Sequence, residues 1–386
     1  MNPQDFKKSS KGKVIKVGSG EVAYHAFVPN ALPPHIDFDT ELIRTLSEAD
    51  RALGELAGLG RTMANPSLLI RPFMNREAVL SSKIEGTQAD LSDVYAYGAG
   101  EQLQLNIQLR SDVREVLNYV RAMEYGLKRV ETLPLSLRFL RELHEQLMSD
   151  VRGQPATPEE FRKSQNWIGA PGCTLNDAHF VPPPIDDMKS SLDSFEKYLH
   201  SGNGYPPLIR LAFIHYQFEA IHPFLDGNGR IGRLLVTLLL VHWKLLPLPL
   251  LYLSVFFEKR RDEYYNHLQS ISKSGAWRNW LLFFLKGVDE QSKDAVIRAK
   301  QLQDLQLQWR ESLQSARSTP LMLGIADYLF IQPIVTATKI QSKFKVTHRT
   351  AMQALRQLAS KGTIRETGKT QRPQHFIAHE ILKIVE

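Results

Sequence analysis

The sequence predicts a mainly α protein: a helical core carrying one small β-hairpin, a helical region before it and a basic helix-turn-helix module after it. Three observations predict this. Apolar residues recur at helical spacing through most of the 386 residues, as in DTELIRTLSEADRALGELAGLG, where Leu42, Ile43, Leu46, Ala49, Leu53 and Leu56 fall on one face. The run QNWIGAPGCTLNDAHFVPPP, from Gln165 to Pro184, breaks that habit with short β-like stretches around a Gly, Asn and Asp turn. From Ser315 onward the composition shifts to 11 Lys/Arg against 4 Asp/Glu.

In chain order, residues 1–35 read as irregular. A helix runs from Asp39 and stops at Gly58 and Gly60. Another starts near Pro72 and ends at Gly86, and the pattern from Val94 to Ser149 is again mostly helical. VRGQPATPEEFR is a loop whose Pro158-Glu159-Glu160 looks like a helix start. After the hairpin, helices resume at Ile185 to Leu199, at Pro207 to Ile221, and from Gly229 to Leu246. The polar stretch Lys286 to Leu313 reads as a connecting helix. Beyond it come LMLGIADYLF, then TATKIQSKF capped by Thr336 or Thr338. A third helix is capped by Thr347 and stopped by Gly362, and TIRETGKTQRPQHFIA makes a two-stranded wing. That order resembles a winged helix-turn-helix. The expected divisions are 1–105, 106–285, 286–314 and 315–386.

Composition narrows the function. The whole chain has 48 Lys/Arg and 41 Asp/Glu, net +7, so the C-terminal segment holds the entire excess. DNA is the partner such a segment suggests, through residues 336–372. Cys173 is the only cysteine, which excludes an internal disulfide and a multi-cysteine zinc site. The longest apolar run, Leu234 to Leu253, is broken by Lys244 and two prolines, so no membrane span is expected. MNPQDFKKSSKGKVIK has no apolar leader core, and a cytoplasmic protein is the expectation.

The chemistry concentrates in HPFLDGNGRIGR, His222 to Arg233. A helix ends at Ile221 and the next begins near Gly229, which puts Gly227, Asn228 and Gly229 at a helix N-terminus. Glycines there let backbone N–H groups converge on an anion, and the helix dipole adds attraction. Arg230 and Arg233, three apart, offer guanidinium forks to phosphate oxygens. Asp226 can hold Mg²⁺ together with substrate phosphates. His222 is the side chain whose ordinary pKa suits proton abstraction near neutrality. Without GK[ST], the string is not a Walker loop.

HPFLDGNGRIGR resembles the Fic-family signature H-x-F-x-[DE]-G-N-G-R-x-x-R at every fixed position. REAVLSSKIEGT, QNWIG…HFVPPP and HYQFEAIHPF extend the resemblance over roughly Ala26 to Leu285. The resemblance implies transfer of AMP from ATP to a hydroxyl side chain (Tyr, Thr or Ser) of a target protein. By it His222 is the base, Asp226 the Mg²⁺ ligand, and Gly227, Asn228, Gly229, Arg230, Ile231, Gly232 and Arg233 the ATP cradle. Arg233 takes the γ-phosphate, Tyr265 approaches the adenine, and the hairpin is a flap that holds the target by strand addition.

SSKIEG, Ser81 to Gly86, fits the family's inhibitory pattern [ST]-x-x-x-E-[GN], with Ser81, Glu85 and Gly86 at its fixed positions. Glu85 would pair with Arg233 and leave ATP in an unproductive pose, within one chain or across a homodimer, whose existence the sequence leaves open. Two other readings stay open. The chain removes AMP from a modified protein, with Glu85 aligning water, or it is a DNA-binding regulator that senses nucleotide.

Overall fold

A computed structural model describes residues 1–7, 11–63, 66–100, 106–149, 157–170, 172–202, 204–316, 318–367 and 374–386. The expected loop at 151–156, the flap residue Pro171 and the wing tip at 368–373 lie outside the described residues. The architecture is mainly helical.

The start of the chain is not irregular. β1 (Gly12–Val17) and β2 (Tyr24–Pro29) form an antiparallel pair from Gly12↔Pro29 to Val17↔Tyr24. The interleaved lysines of KVIKV hide the two-residue alternation that marks a strand. β2 braces the site's flap: Phe27 N–H donates to Val181 O at 2.9 Å, and Phe27 packs on Phe6 and Phe180 with centroids 5.5 and 5.8 Å apart.

α1 (Thr40–Thr62) is capped by Asp39, which accepts from Leu42 N at 2.9 Å. Gly58 and Gly60 do not stop it. Gly60 instead admits Pro247 and Leu250, which a Cβ there would meet at 3.0 and 3.2 Å. α2 (Ser67–Ile84) begins before Pro72, which lies inside it. Burial of Phe73, Met74, Ala78 and Val79 outweighs the one helix hydrogen bond that proline removes. α3 (Leu91–Ala99), α4 (Ile107–Arg129) and α5 (Leu137–Met148) follow. No helix starts at Pro158; Glu159 takes a left-handed φ of 68° in a turn.

Among the described residues the flap is closed by one antiparallel bridge, Ile168↔Phe180, with N···O distances of 2.8 and 3.0 Å. It does not grow into the expected hairpin. Val181 gives its carbonyl to β2, and the prolines after it have no N–H to offer.

α6 (Ile185–His200), α7 (Pro207–Ile221), α8 (Asn228–His242), α9 (Ser254–Lys259) and α10 (Arg261–Ser274) build the rest of the core. α8 stops short of Leu246 because Lys244 turns left-handed, φ 59°, ahead of Pro247. The expected boundary at 285/286 falls inside one 39-residue helix, α11 (Trp277–Ser315), which packs along α1.

The C-terminal module comprises α12 (Pro320–Leu329), β3 (Ile334–Thr336), α13 (Ala337–Phe344), α14 (His348–Ser360), β4 (Arg365–Glu366), β5 (His375–Ile377) and α15 (His379–Val385). Thr336 and Thr347 cap α13 and α14, each accepting from the third residue on at 3.2 Å. The sheet order β3-β5-β4 adds a third strand to the expected pair. The module docks on the N-terminal helices: Gln332 donates to Tyr95 O at 2.7 Å and Arg76 to Glu386 O at 3.2 Å. No helix of the described residues is long and apolar enough to cross a membrane.

Candidate active site

The site is built where α7 stops and α8 starts. His222 caps α7 in the left-handed region, φ 50° and ψ 61°, which is unusual for a residue with a Cβ. Its carbonyl is drawn aside by Arg162 Nε at 3.0 Å and, more weakly, Asn166 Nδ2 at 3.4 Å. Arg162 is itself buried and binds only carbonyls, adding Pro183 O at 2.5 Å and Ser164 O at 3.3 Å, while its N–H reaches Pro223 O at 2.9 Å. Burial lowers it to about 10. The loop is then pinned by Asn228, whose side chain accepts from Phe224 N and donates to Phe224 O, both at 2.8 Å. Phe224 is fully buried and stacks on His144, 3.9 Å between centroids and 5° between planes.

Arg162→Ala should therefore undo the loop. It strands the buried Pro183 carbonyl and leaves the His222 carbonyl with only the 3.4 Å contact to Asn166, and a buried unsatisfied group costs about 1–3 kcal/mol. Denaturant unfolding should register a loss of about 3 kcal/mol or more, against under about 0.5 kcal/mol for the exposed Arg138→Ala. Equal, small losses would show that Arg162 holds nothing.

His222 Nδ1 lies 3.2 Å from Glu219 O. A carbonyl only accepts, so the proton belongs on Nδ1. Nε2 makes no hydrogen bond among the described residues and can act as an acceptor. Burial pushes this imidazole down to about 4, with the Glu219 carbonyl opposing.

Arg233, on the first turns of α8, is almost wholly buried. Its Nη2 donates to Glu85 Oε1 at 2.5 Å and to Ser81 O at 2.9 Å, and its Nε to Ser81 Oγ at 2.8 Å. Burial opposes both charges, but each ion outweighs it for the other: Glu85 is held below, and Arg233 above, its ordinary value. Glu85 sits just past the last turn of α2, and Gly86 after it turns left-handed, φ 108°. The carboxylate lies against the start of α8, where a Cβ on Gly229 would be 2.2 Å from Oε1. Glycine at 229 leaves room for an anion, and in this state the anion is Glu85.

Glu85, His222, Gly229, Arg233 and Tyr265 line one cavity of about 530 Å³, which the flap residues Trp167 and Ile168 also border. That volume is in the range of small-molecule sites. Arg230 faces elsewhere: it pairs with Glu115 at 2.9 Å and approaches Asp226 at 3.5 Å. Burial raises Glu115, against the pull of Arg230. Asp226 keeps about a third of its side chain exposed and takes the Gly227 N–H at 2.6 Å. Ile231 is fully buried in the core and Gly232 packs on Glu219, so neither presents a side chain to the cavity. Tyr265 OH lies 3.5 Å from Ile84 O.

Sequence reasoning missed Arg162, Asn166, Glu115, His144 and Glu219. Only Glu219 carried a signal, as an acid on a helix otherwise apolar on nearly every face.

The chain matches two family models, "Fic/DOC family N-terminal" over residues 43–128 and "Fic/DOC family" over residues 134–240. Proteins named "Protein adenylyltransferase Fic" from Drosophila grimshawi and Drosophila persimilis are 31% and 30% identical over 172 residues, 44% of this chain. The match spans only about a third of those relatives' length, 32% and 30%. Among solved structures, a Fic family protein from Desulfovibrio desulfuricans G20 superposes with TM-score 0.58 at 19% identity, over 90% of this chain and 98% of that one. Fic-1 from C. elegans superposes with TM-score 0.53 at 19% identity, over 67% and 74%. At these identities the structural likeness concerns the fold.

Proposed function

This chain belongs to the Fic/DOC family, and from that premise we propose that it transfers AMP from ATP to a hydroxyl side chain of a target protein, held in check by Glu85. The observation that carries this reading is the Glu85–Arg233 pair, 2.5 Å long, in the same cavity as a histidine with an unengaged Nε2. His222 Nε2 takes the proton of the target hydroxyl. The oxygen attacks the α-phosphorus, the bond to the β-phosphate oxygen breaks, and pyrophosphate leaves. The N-terminal amides of α8 and the Arg233 guanidinium stabilise the phosphates, which is mostly positioning and electrostatics. While Glu85 occupies Arg233, the γ-phosphate has no such partner.

The donor set suits Mg²⁺. The described residues form no protein-only cluster of three or more metal-binding side chains. Magnesium on a nucleotide needs only one or two carboxylates beside the phosphates, and Asp226 is the part-exposed carboxylate next to α8. When bound, the ion would supply charge neutralisation. The target segment would lie on the flap, where Trp167 and Ile168 are 42% and 39% exposed. Transfer of label from α-labelled ATP to protein tests the reading; label that persists undiminished in His222→Ala contradicts it.

A second partner rests on a separate observation. From Tyr328 to Arg365 the sequence has seven Lys/Arg and no Asp/Glu. α14 exposes His348, Arg349, Gln353, Arg356 and Gln357, while the module docks through Gln332, β3 and α15. We infer that the module is a winged helix-turn-helix and that this face binds duplex DNA, whose bases Arg and Gln read in the major groove. Anisotropy with a labelled duplex should show affinity falling steeply with salt, and Arg349→Ala/Arg356→Ala should weaken it about tenfold or more. Absence of binding at low salt would refute it.

A further inference from the structure

Glu219 stands on α7 one turn before His222, and the mechanism above uses only its backbone oxygen. Its side chain lines the same cavity. The carboxyl rests against Gly232, where a Cβ would lie 2.5 Å from Oε1. A Cβ at 232 would therefore displace the carboxyl. Oε1 is buried and has no hydrogen-bond partner among the described residues. The groups that bear on it electrostatically are Arg233 from α8, Glu85 from the end of α2, and Tyr264 and Tyr265 from α10. One buried guanidinium thus feels two carboxyls lining the same cavity, and Glu85 is the one bonded to it.

We propose that Glu219 is a positioning residue acting through Arg233: it takes the guanidinium when Glu85 withdraws, and yields it to a phosphate only on regaining a proton. This rests on the reading that the cavity binds ATP. A buried charge left without a counter-ion is strongly unfavourable, so the departure of Glu85 favours an ionised Glu219. With Glu85 in place, burial pushes Glu219 up to about 8; Arg233 opposes the rise and Glu85 adds to it, so the group is neutral near pH 7. Removing Glu85 removes an upward influence, and Glu219 ionises at lower pH. An arriving phosphate restores a negative neighbour and raises it again. A group with a higher pKa in the complex takes up a proton on binding. Affinity is then full below the free-state pKa and falls as pH rises through it.

The test is calorimetry of Mg²⁺-ATP binding to Glu85→Gly and to Glu85→Gly/Glu219→Gln, at about pH 6.5 and about pH 8.5. Glu85→Gly should bind about fivefold or more weakly at the higher pH, and the double variant should lose that dependence. Should glutamine at 219 impair folding, Glu219→Met, similar in length and unable to ionise, replaces it with the same expectation. A uniform weakening of the double variant with the pH dependence intact would make Glu219 merely structural and overturn the proposal. A flat profile in Glu85→Gly itself would also overturn it. If Glu85→Gly binds no ATP at either pH, the nucleotide reading of the cavity fails instead.

Discussion

Glu85→Gly should raise AMP incorporation about 10–150-fold over the wild type. The range follows from what the substitution releases. A hydrogen bond to a charged group contributes about 1.5–3 kcal/mol, and every ~1.4 kcal/mol is tenfold in rate. Arg233 keeps its two contacts to Ser81, at 2.8 and 2.9 Å, so the guanidinium stays in place when the carboxylate goes. Removing Glu85 also clears the space over Gly229 at the start of α8. Both changes favour a phosphate in that corner. The rate is read as label from α-labelled ATP on protein, with cell lysate supplied in case the target is not the chain itself. Equal rates would mean that the pair does not restrain the reaction. Slower loss of AMP from a pre-labelled protein in Glu85→Gly would favour the reverse, hydrolytic reading.

His222→Ala, made in the Glu85→Gly background, should lower transfer about 10²–10⁴-fold, the usual contribution of a general base. Its effect on nucleotide affinity should be small, because Arg162 and Asn166 bind the backbone carbonyl of residue 222, which alanine retains. Some loss of stability is expected, on the order of 1 kcal/mol or less, since alanine at a left-handed φ gains nothing in return. The pH dependence has a definite sign. Burial lowers His222 to about 4, so the basic form already predominates from that value upward. The kcat/KM profile reports the free enzyme and should lose activity from this group only as pH falls towards about 4. A steep loss between about pH 7 and 6 would mean that His222 is better hydrated, or differently paired, than its contacts imply.

How far these residues were legible in the sequence depends on how local their chemistry is. The loop His222 to Arg233 could be read directly, because glycines at a helix start and arginines one turn on act within a dozen residues of chain. Glu85 was legible only through its resemblance to an inhibitory segment; nothing in SSKIEG alone says which arginine it meets. Arg162, Asn166 and His144 were illegible. Each acts on a carbonyl or a ring far along the chain, and a lone arginine before a flap reads as surface charge. Glu115 was hidden likewise, an ordinary acid on α4 until the fold brings it to Arg230 at 2.9 Å.

The errors of fold have similar causes. Local propensity alone makes helix ends of Gly58, Gly60 and Pro72, and tertiary packing overrides it. The flap's β character stopped at one bridge because β2, in a hairpin the sequence pattern did not reveal, claims the next carbonyl. The caps Thr336 and Thr347 are more legible, since a cap depends on a side chain and an N–H three residues on.

The most direct measurement compares ATP labelled at the α-phosphate with ATP labelled at the γ-phosphate, each incubated with Mg²⁺, lysate and Glu85→Gly. The α-label should appear on protein and the γ-label should leave as pyrophosphate, with both signals lost in Glu85→Gly/His222→Ala. Protein carrying the γ-label instead would make the chain a kinase-like enzyme and contradict AMP transfer at its central step.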